Sequence, residues 1–306
     1  MDILNYLSSN IEKNIRNDNN YIDFETLEEI RLRTNKNIVL KFTEGEIILE
    51  YKVTTQDLLE TLEKITENSI YTYENQIANG FITLNGGHRV GIVGNAISNN
   101  GKVINISYIS GMNFRIAREI KGCGDYLIKE LYYNGEFKNT LIMGNPGTGK
   151  TTLLRDLIRQ ISNGNKYYRG MNVGVVDERN EIASMYKGIE QVELGLRTDV
   201  ISNIPKTLGI KMLIRSMAPE VIAVDEIGGK NDAEMIFYAM CSGTKGLFTA
   251  HGNSIYDIKL NPELKELLEN RIIEKIIILS KVKKGEISGL YILDNDKKEY
   301  KRCIWF

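Results

Sequence analysis

Apolar positions recur along this chain in two different ways, and the change from one to the other divides it. In the first part, short runs rich in β-branched and apolar residues alternate with turn-forming clusters: "EIRLR" (29–33), "NIVLKF" (37–42) and "EIILEYKV" (46–53), separated by "TNK" and "TEG". Such runs predict strands. A helix is predicted near 3–16. Another is predicted from "TTQDLLETLEKITENSIYTYENQIANG", where Leu58, Leu59, Leu62 and Ile65 fall at helical spacing behind a threonine cap. "FITLNGGHRVGIVGNAI", "VINISYIS" and "NFRIAREI" read as further antiparallel strands joined by Gly- and Asn-rich turns. This part is expected to be α+β.

The second part alternates strand and helix. "TLIMG", "NVGVVDE", "EVIAVDEI", "GLFTAHG" and "EKIIILSKV" are nearly continuous apolar runs. Between the first four lie the helical patterns "GKTTLLRDLIRQIS", "LGIKMLIRSM" and "DAEMIFYAMCSG". Uninterrupted apolar strands alternating with helices predict an α/β domain, a mainly parallel sheet covered on both faces. In "KGCGDY" (121–126) two glycines interrupt all periodicity, so the expected division is an N-terminal domain over 1–120, a linker at 121–126 and a C-terminal domain over 127–306.

Composition narrows the picture little. At 306 residues there is room for two domains with a core each. The formal net charge is −1, and residues 1–135 carry 14 Lys+Arg against 18 Asp+Glu, which leaves 25 against 22. Neither half is a basic block, so no stable nucleic-acid binding is expected. The cysteines, Cys123, Cys241 and Cys303, have no zinc-ligand spacing and do not suggest a disulfide framework. The start "MDILNYLSSNIEKNI" lacks the pattern of a secretory signal, and apolar stretches such as "IIILS" (276–280) fall far short of the roughly 20 residues that cross a bilayer. A cytoplasmic protein is expected, held by something else if it works at a membrane.

The chemistry sits at the ends of the apolar runs. "GNPGTGKT", Gly144, Asn145, Pro146, Gly147, Thr148, Gly149, Lys150 and Thr151, followed by Thr152, matches G-x-x-x-x-G-K-[ST] between a strand and a helix. Glycines there let the backbone curl its amides toward phosphate oxygens, and the helix N-terminus adds partial positive charge. Lys150 is expected on the β- and γ-phosphates and the Thr151 hydroxyl on Mg2+. "EVIAVDEIGG" delivers Asp225 and Glu226 at another strand end, one to orient the metal shell, the other to hold and deprotonate water. "GVVDERNEI" adds Asp177, Glu178 and Glu181. An extra strand between the phosphate loop and the acid strand is the order of motor-type ATPases, and no "NKxD" guanine signature appears, so ATP is the expected nucleotide.

"GNPGTGKTT", "VVDERNE", "IRSMAPEVIAVDEIGG" and "FTAHGN", in that order, resemble the nucleotide boxes of the secretion-type hexameric ATPases, which drive type II and type IV secretion and pili. The resemblance extends into the N-terminal part at "EIRLRTNKNIVLKFTEGE", "GGHRVGIVG" and "NFRIARE", and is strongest to the branch that serves endospore formation. It implies a RecA-like P-loop ATPase domain, Mg2+-dependent ATP hydrolysis, and a homo-hexamer that works with a membrane-embedded sporulation or secretion complex from the mother-cell cytoplasm. It implies Glu226 as the water-positioning acid, and Asp177, Glu178 and Glu181 as an acidic box near magnesium, so that Thr151, Asp225, Asp177 and Glu178 are its expected ligands. It further implies His251 as a γ-phosphate sensor, and Arg89 and Arg115 as arginines that approach the γ-phosphate when the domains close. Arg118, Arg197 and Arg215 are further candidates. Many relatives have Gly in place of Asp225 and Arg-Asp in place of Gly228 and Gly229, which leaves the division of labour between Asp225 and Glu178 open.

Two other readings stay open. A nucleic-acid-dependent ATPase would need a basic, aromatic-lined groove, for which "NKYYRGMN" (165–172) is the one candidate stretch. A nucleotide-gated scaffold would bind ATP and barely turn it over. His88, in "NGGHRVG", is expected in a turn, and the tail "YKRCIWF" as a last strand or a partner contact.

Overall fold

The computed structural model describes residues 3–17, 22–294 and 299–303. By its internal contacts the chain forms two compact units, one of residues 1–118 with 184–191, the other of 119–183 with 192–306.

In the first unit a 3-10 turn over Ile3–Tyr6 precedes α1 (Ser9–Arg16). The single helix expected over 3–16 is broken because Ser8 leaves helical geometry, at ψ 153°, and its side chain accepts the Ile11 amide as a cap. Strands β1 (Leu27–Arg33), β2 (Asn37–Phe42) and β3 (Gly45–Lys52) follow, then α2 (Thr55–Ile65) and the short α3 (Glu74–Ala78). The helical pattern extending toward Gly80 is interrupted after Ile65, where Glu67 and Asn68 adopt φ of 50° and 58°. β4 (Phe81–Thr83), β5 (Arg89–Asn99) and β6 (Lys102–Arg115) complete an antiparallel sheet of order β3-β2-β1-β6-β5-β4. "VINISYIS" and the start of "NFRIAREI" are one strand, not two. β5 and β6 are joined by an Asn100-Gly101 turn with φ of 47° and 75°, the left-handed pair a tight hairpin requires. Leu4, Leu7, Ile11, Ile15, Ile30, Leu58 and Phe114 are among the buried residues of its core.

Asp57 ties this core to its helix. It is buried, forms a capping box with Thr54, and accepts hydrogen bonds from the Tyr51 hydroxyl at 2.8 Å and the Ser8 hydroxyl at 2.8 Å. Residues 184–191, assigned from sequence to the C-terminal domain, belong with this unit. Tyr186 and Lys187 both donate to Glu67, and the Gly86 amide donates to Gln191 Oε1 at 2.7 Å.

The second unit begins with a small hairpin, β7 (Tyr132–Tyr133) and β8 (Glu136–Phe137). In chain order come β9 (Thr140–Met143), α4 (Lys150–Asn163), β10 (Val173–Asp177), β11 (Thr198–Ser202), α5 (Lys206–Met217), β12 (Val221–Val224), α6 (Asp232–Cys241) and β13 (Lys245–Ala250). α7 (Ile255–Leu260), α8 (Pro262–Glu269), β14 (Lys275–Leu279), β15 (Ile287–Asp294) and β16 (Glu299–Cys303) close the unit. The sheet order is β11-β10-β12-β13-β9-β14-β15-β16. Its first six strands are parallel and the last two antiparallel. This is a mixed α/β unit with a mainly parallel sheet.

Strand alternation sets its two faces. Met143, Ile222, Val224, Phe248, Ala250, Ile276 and Ile278 pack with residues of α5, α6 and α8. Ile142, Val175, Ala223, Leu247 and Ile277 point the other way and are equally buried, as are Leu154, Leu157 and Ile158 of α4. The expected linker 121–126 is docked in this unit: the Gly122 and Gly124 amides donate to Asp156 of α4 at 3.0 and 2.8 Å. Of the C-terminal tail, Glu299–Cys303 form β16; 304–306 lie outside the described residues. Among the described residues no helix is long and apolar enough to cross a membrane.

Burial pushes the Asp57 carboxyl up, but the Thr54 amide and hydroxyl, Tyr51 and Ser8 outweigh it, so its net shift is downward. A depressed folded-state value stabilises above the ordinary Asp range and is lost as pH falls through the folded value. Asp57→Asn is therefore expected to cost about 1–3 kcal/mol at neutral pH. The deficit should shrink below about pH 4, as read by denaturant titration at several pH values.

Candidate active site

β9 ends at Met143 and the chain turns sharply before α4 begins at Lys150. Gly147 and Gly149 adopt φ of 79° and 101°, open to glycine and strained for other residues. At Gly144 the requirement is space, since a Cβ would fall 2.4 Å from the Thr148 hydroxyl. That hydroxyl donates to the Asn145 carbonyl at 2.8 Å and closes the loop. The N-cap of α4, Gly149, has no side chain to satisfy the first helical amides, which leaves donors suited to an anion. The buried Lys150 ammonium donates to the Gly144 and Asn145 carbonyls at 2.9 and 3.1 Å. Burial lowers its pKa, while the charges of Asp225 and Glu226 act in the opposite direction. Outside the loop, the Gly285 amide donates to the Thr148 carbonyl at 2.9 Å.

The second strand end meets this loop. The Thr151 hydroxyl donates to Asp225 Oδ2 at 2.8 Å, and the Thr249 hydroxyl donates to Asp225 Oδ1. The same Thr249 oxygen accepts the Glu226 amide at 2.8 Å. Glu226 sits at φ 53°, rare for a glutamate, and its carbonyl accepts from Lys206 Nζ at 2.7 Å. Its carboxylate lies 3.2 Å from His251 Nε2 and 2.5 Å from Arg179 Nη1. His251 thus stands beside Glu226.

Asp177 does not fit its expected role as a metal ligand. It is 1% exposed, and its carboxylate accepts the amides of Glu181, Ile182 and Ala183 at 2.7, 2.9 and 2.8 Å. Burial raises its pKa against the pull of those amides and of Arg155. The reason is local, since β10 pairs directly with β12 and the strand end is near Asp225. Both Asp177 oxygens are taken up by amides of the loop that follows, so Asp177 holds that loop. Glu178 is more open and pairs with Lys206 at 3.4 Å. Among the described residues no three His, Cys, Asp or Glu side chains are grouped to hold a metal ion. A magnesium held by one hydroxyl, one acid and phosphate oxygens needs no such group.

Arg89 and Arg115 belong to the other unit, where they are direct cross-strand partners on β5 and β6. The Arg89 guanidinium lies 3.9 Å from the Phe81 ring centroid, and Arg115 Nε lies 3.9 Å from Glu29. Arg118 donates to the Leu27 carbonyl and Arg197 to the Ser162 carbonyl, both structural contacts. His88 sits in the β4–β5 turn, its Nδ1 accepting the Ala117 amide at 3.0 Å; burial lowers its pKa.

Sequence reasoning missed Thr249, Arg179, Lys206 and Arg155. Thr249 carried a signal, as the one polar residue inside the apolar run "GLFTA". Arg179 lies within "VVDERNE", between Glu178 and Glu181, and nothing in that run singles it out from a surface arginine. Lys206 and Arg155 are joined to the site by folding alone, Arg155 donating to the Glu181 carbonyl at 2.6 Å.

A family model described as "Sporulation stage III, protein AA" matches residues 1–298. The chain is 41% identical over 271 residues to Stage III sporulation protein AA of Bacillus subtilis (strain 168), covering 88% of each. It is 29% identical over 226 residues to the uncharacterized protein ycf45 of Cyanidium caldarium, covering 73% of this chain and 60% of that one. Among solved structures, the Legionella pneumophila ATPase DotB is similar with a TM-score of 0.59 at 17% identity, over 89% of this chain and 78% of that one. The pilus retraction motor PilT with bound ADP gives 0.56 at 15%, over 90% and 77%. At such identities the likeness concerns the fold alone.

Asp177→Ala would leave three amides and the Arg155 charge without their acceptor. A loss of about 3–5 kcal/mol is expected, with Asp177→Asn losing less because one oxygen remains. Thermal unfolding of both variants checks it; an Asp177→Ala protein as stable as wild type would overturn this structural role.

Proposed function

This chain belongs to the sporulation stage III, protein AA family, and from that membership we propose that it is a Mg2+-dependent ATP-hydrolysing motor of endospore formation. The observation that carries the reading is the hydrogen bond from Thr151 to Asp225, which sets the phosphate loop against the Asp-Glu strand end across 74 residues of sequence. The loop amides and the Lys150 ammonium bind the triphosphate. Thr151 and Asp225 are the residues that would hold magnesium, which supplies charge neutralisation at the phosphates when bound. Glu226 orients a water and takes its proton as the water oxygen bonds to the γ-phosphorus and the bond to the β-phosphate oxygen breaks. His251 acts beside Glu226. Roles for Arg89 and Arg115 in compensating phosphate charge rest on the family resemblance.

The resemblance also supports a homo-hexameric ring in the mother-cell cytoplasm, energising a channel or secretion complex whose membrane-embedded proteins hold it in place. A nucleic-acid-driven motor has one observation in its favour. Tyr167 lies 5.1 and 4.8 Å from the Lys129 and Lys166 ammonium groups, beside the stacked rings of Tyr132 and Tyr168. The adjoining cleft, about 500 Å³, is lined by Glu136 and Glu220 as well as Arg169 and Lys245. That mixed charge disfavours a phosphate backbone.

Lys150→Ala is expected to abolish turnover and weaken nucleotide binding. Glu226→Gln should keep nucleotide affinity while slowing hydrolysis by about 100-fold or more. Phosphate-release and equilibrium-binding assays decide; native turnover in Lys150→Ala refutes the reading, and equal slow turnover of wild type and Glu226→Gln favours a scaffold. Sedimentation with a non-hydrolysable ATP analogue is expected to give a hexamer. Single-stranded DNA is expected not to stimulate hydrolysis at any salt concentration.

A further inference from the structure

Glu226 is held from both sides, and one of the holders has no assigned role. Its Oε1 faces His251 Nε2 at 3.2 Å and its Oε2 meets Arg179 Nη1 at 2.5 Å. A carboxylate with a nitrogen close to each oxygen is constrained in its plane, and a group that orients water depends on that plane.

The loop that presents Arg179 is itself fixed. Asp177 accepts three amides from its far end, Arg155 donates to the Glu181 carbonyl, and Lys206 lies 3.4 Å from Glu178. Lys206 also donates to the Glu226 carbonyl, so one lysine braces both the loop and the residue it serves. Between Asp177 and Ala183 the loop carries a single basic side chain, and that side chain lands on Glu226. Arg179 is 62% exposed, and so open an ion pair adds little to folding.

We propose that Arg179 is a positioning residue for hydrolysis, fixing the Glu226 carboxylate in the orientation from which it aligns the attacking water. The inference rests on the reading of Glu226 as the water-positioning acid.

The test compares full-length Arg179→Ala, Arg179→Lys, Glu226→Gln and the Arg179→Ala/Glu226→Gln double variant with wild type. Steady-state kinetics with Mg-ATP are read alongside binding of a fluorescent ADP analogue and thermal unfolding. Arg179→Ala is expected to lower kcat by about 10- to 100-fold, with KM, ADP affinity and unfolding temperature nearly unchanged. Arg179→Lys should recover part of the rate, because an ammonium supplies the charge without the planar fork. The double variant should be no slower than Glu226→Gln alone, since both changes disable one unit. Wild-type kcat in Arg179→Ala, or losses that multiply in the double variant, overturns the inference while leaving the ATPase reading intact. A Glu226→Gln protein with undiminished turnover overturns both the inference and the role given to Glu226, while ATP hydrolysis itself stands.

Discussion

Three strand ends are fastened together at the carboxyl edge of the parallel sheet, and the fastening is done by hydroxyls. The Thr151 and Thr249 hydroxyls converge on the two oxygens of Asp225, and Thr249 also accepts the Glu226 amide. β13 thus joins the phosphate loop's strand to the acid strand as well as filling the space between them. Because the strands are parallel and paired in register, Met143 beside Ala250 and Val224 beside Phe248, the segments leaving them emerge at one edge. Without that register the glycine-rich turn and the acid pair would be two unrelated loops.

Holding charge in such a place is expensive, and the fold answers locally. Lys150 is buried but donates to two carbonyls of its own loop. Asp177 is buried more deeply and is satisfied by three amides, with Arg155 nearby to offset its charge. A buried ion left alone would change its protonation or unfold the region. The more open ions, Glu178, Arg179 and His251, lie nearer the rim, where water screens their charge and lowers the cost of holding it.

Local chemistry was legible in the sequence and long-range chemistry was not. The phosphate loop announces itself because glycine spacing, a lysine and the strand before it lie within a few residues. The parallel sheet shows in apolar runs without alternation. Asp177 misled because an acid at a strand end can face a ligand or cap its own loop, and only the fold shows that three loop amides take up its carboxylate. Ser8 splits a predicted helix because capping geometry competes with apolar spacing. "VINISYIS" and the start of "NFRIAREI" fuse because a strand can run through irregular pairing: Gly94 faces a stretch where Tyr108 adopts φ 46°, and a Cβ at Gly94 would meet the Ser107 carbonyl at 2.6 Å. Residues 184–191 belong with the first unit for reasons no window of sequence contains: Glu67 and Gly86 supply their partners from about a hundred residues upstream.

That last feature bears on how the gene can be divided. The first unit is discontinuous, finished by eight residues encoded within the second, between the loop that Asp177 closes and the strand that begins at Thr198. A fragment ending at Arg118 would lack Tyr186, Lys187 and Gln191, and removing 184–191 from the remainder would sever a chain that runs on into its own sheet. No single cut in the chain therefore separates one unit whole from the other.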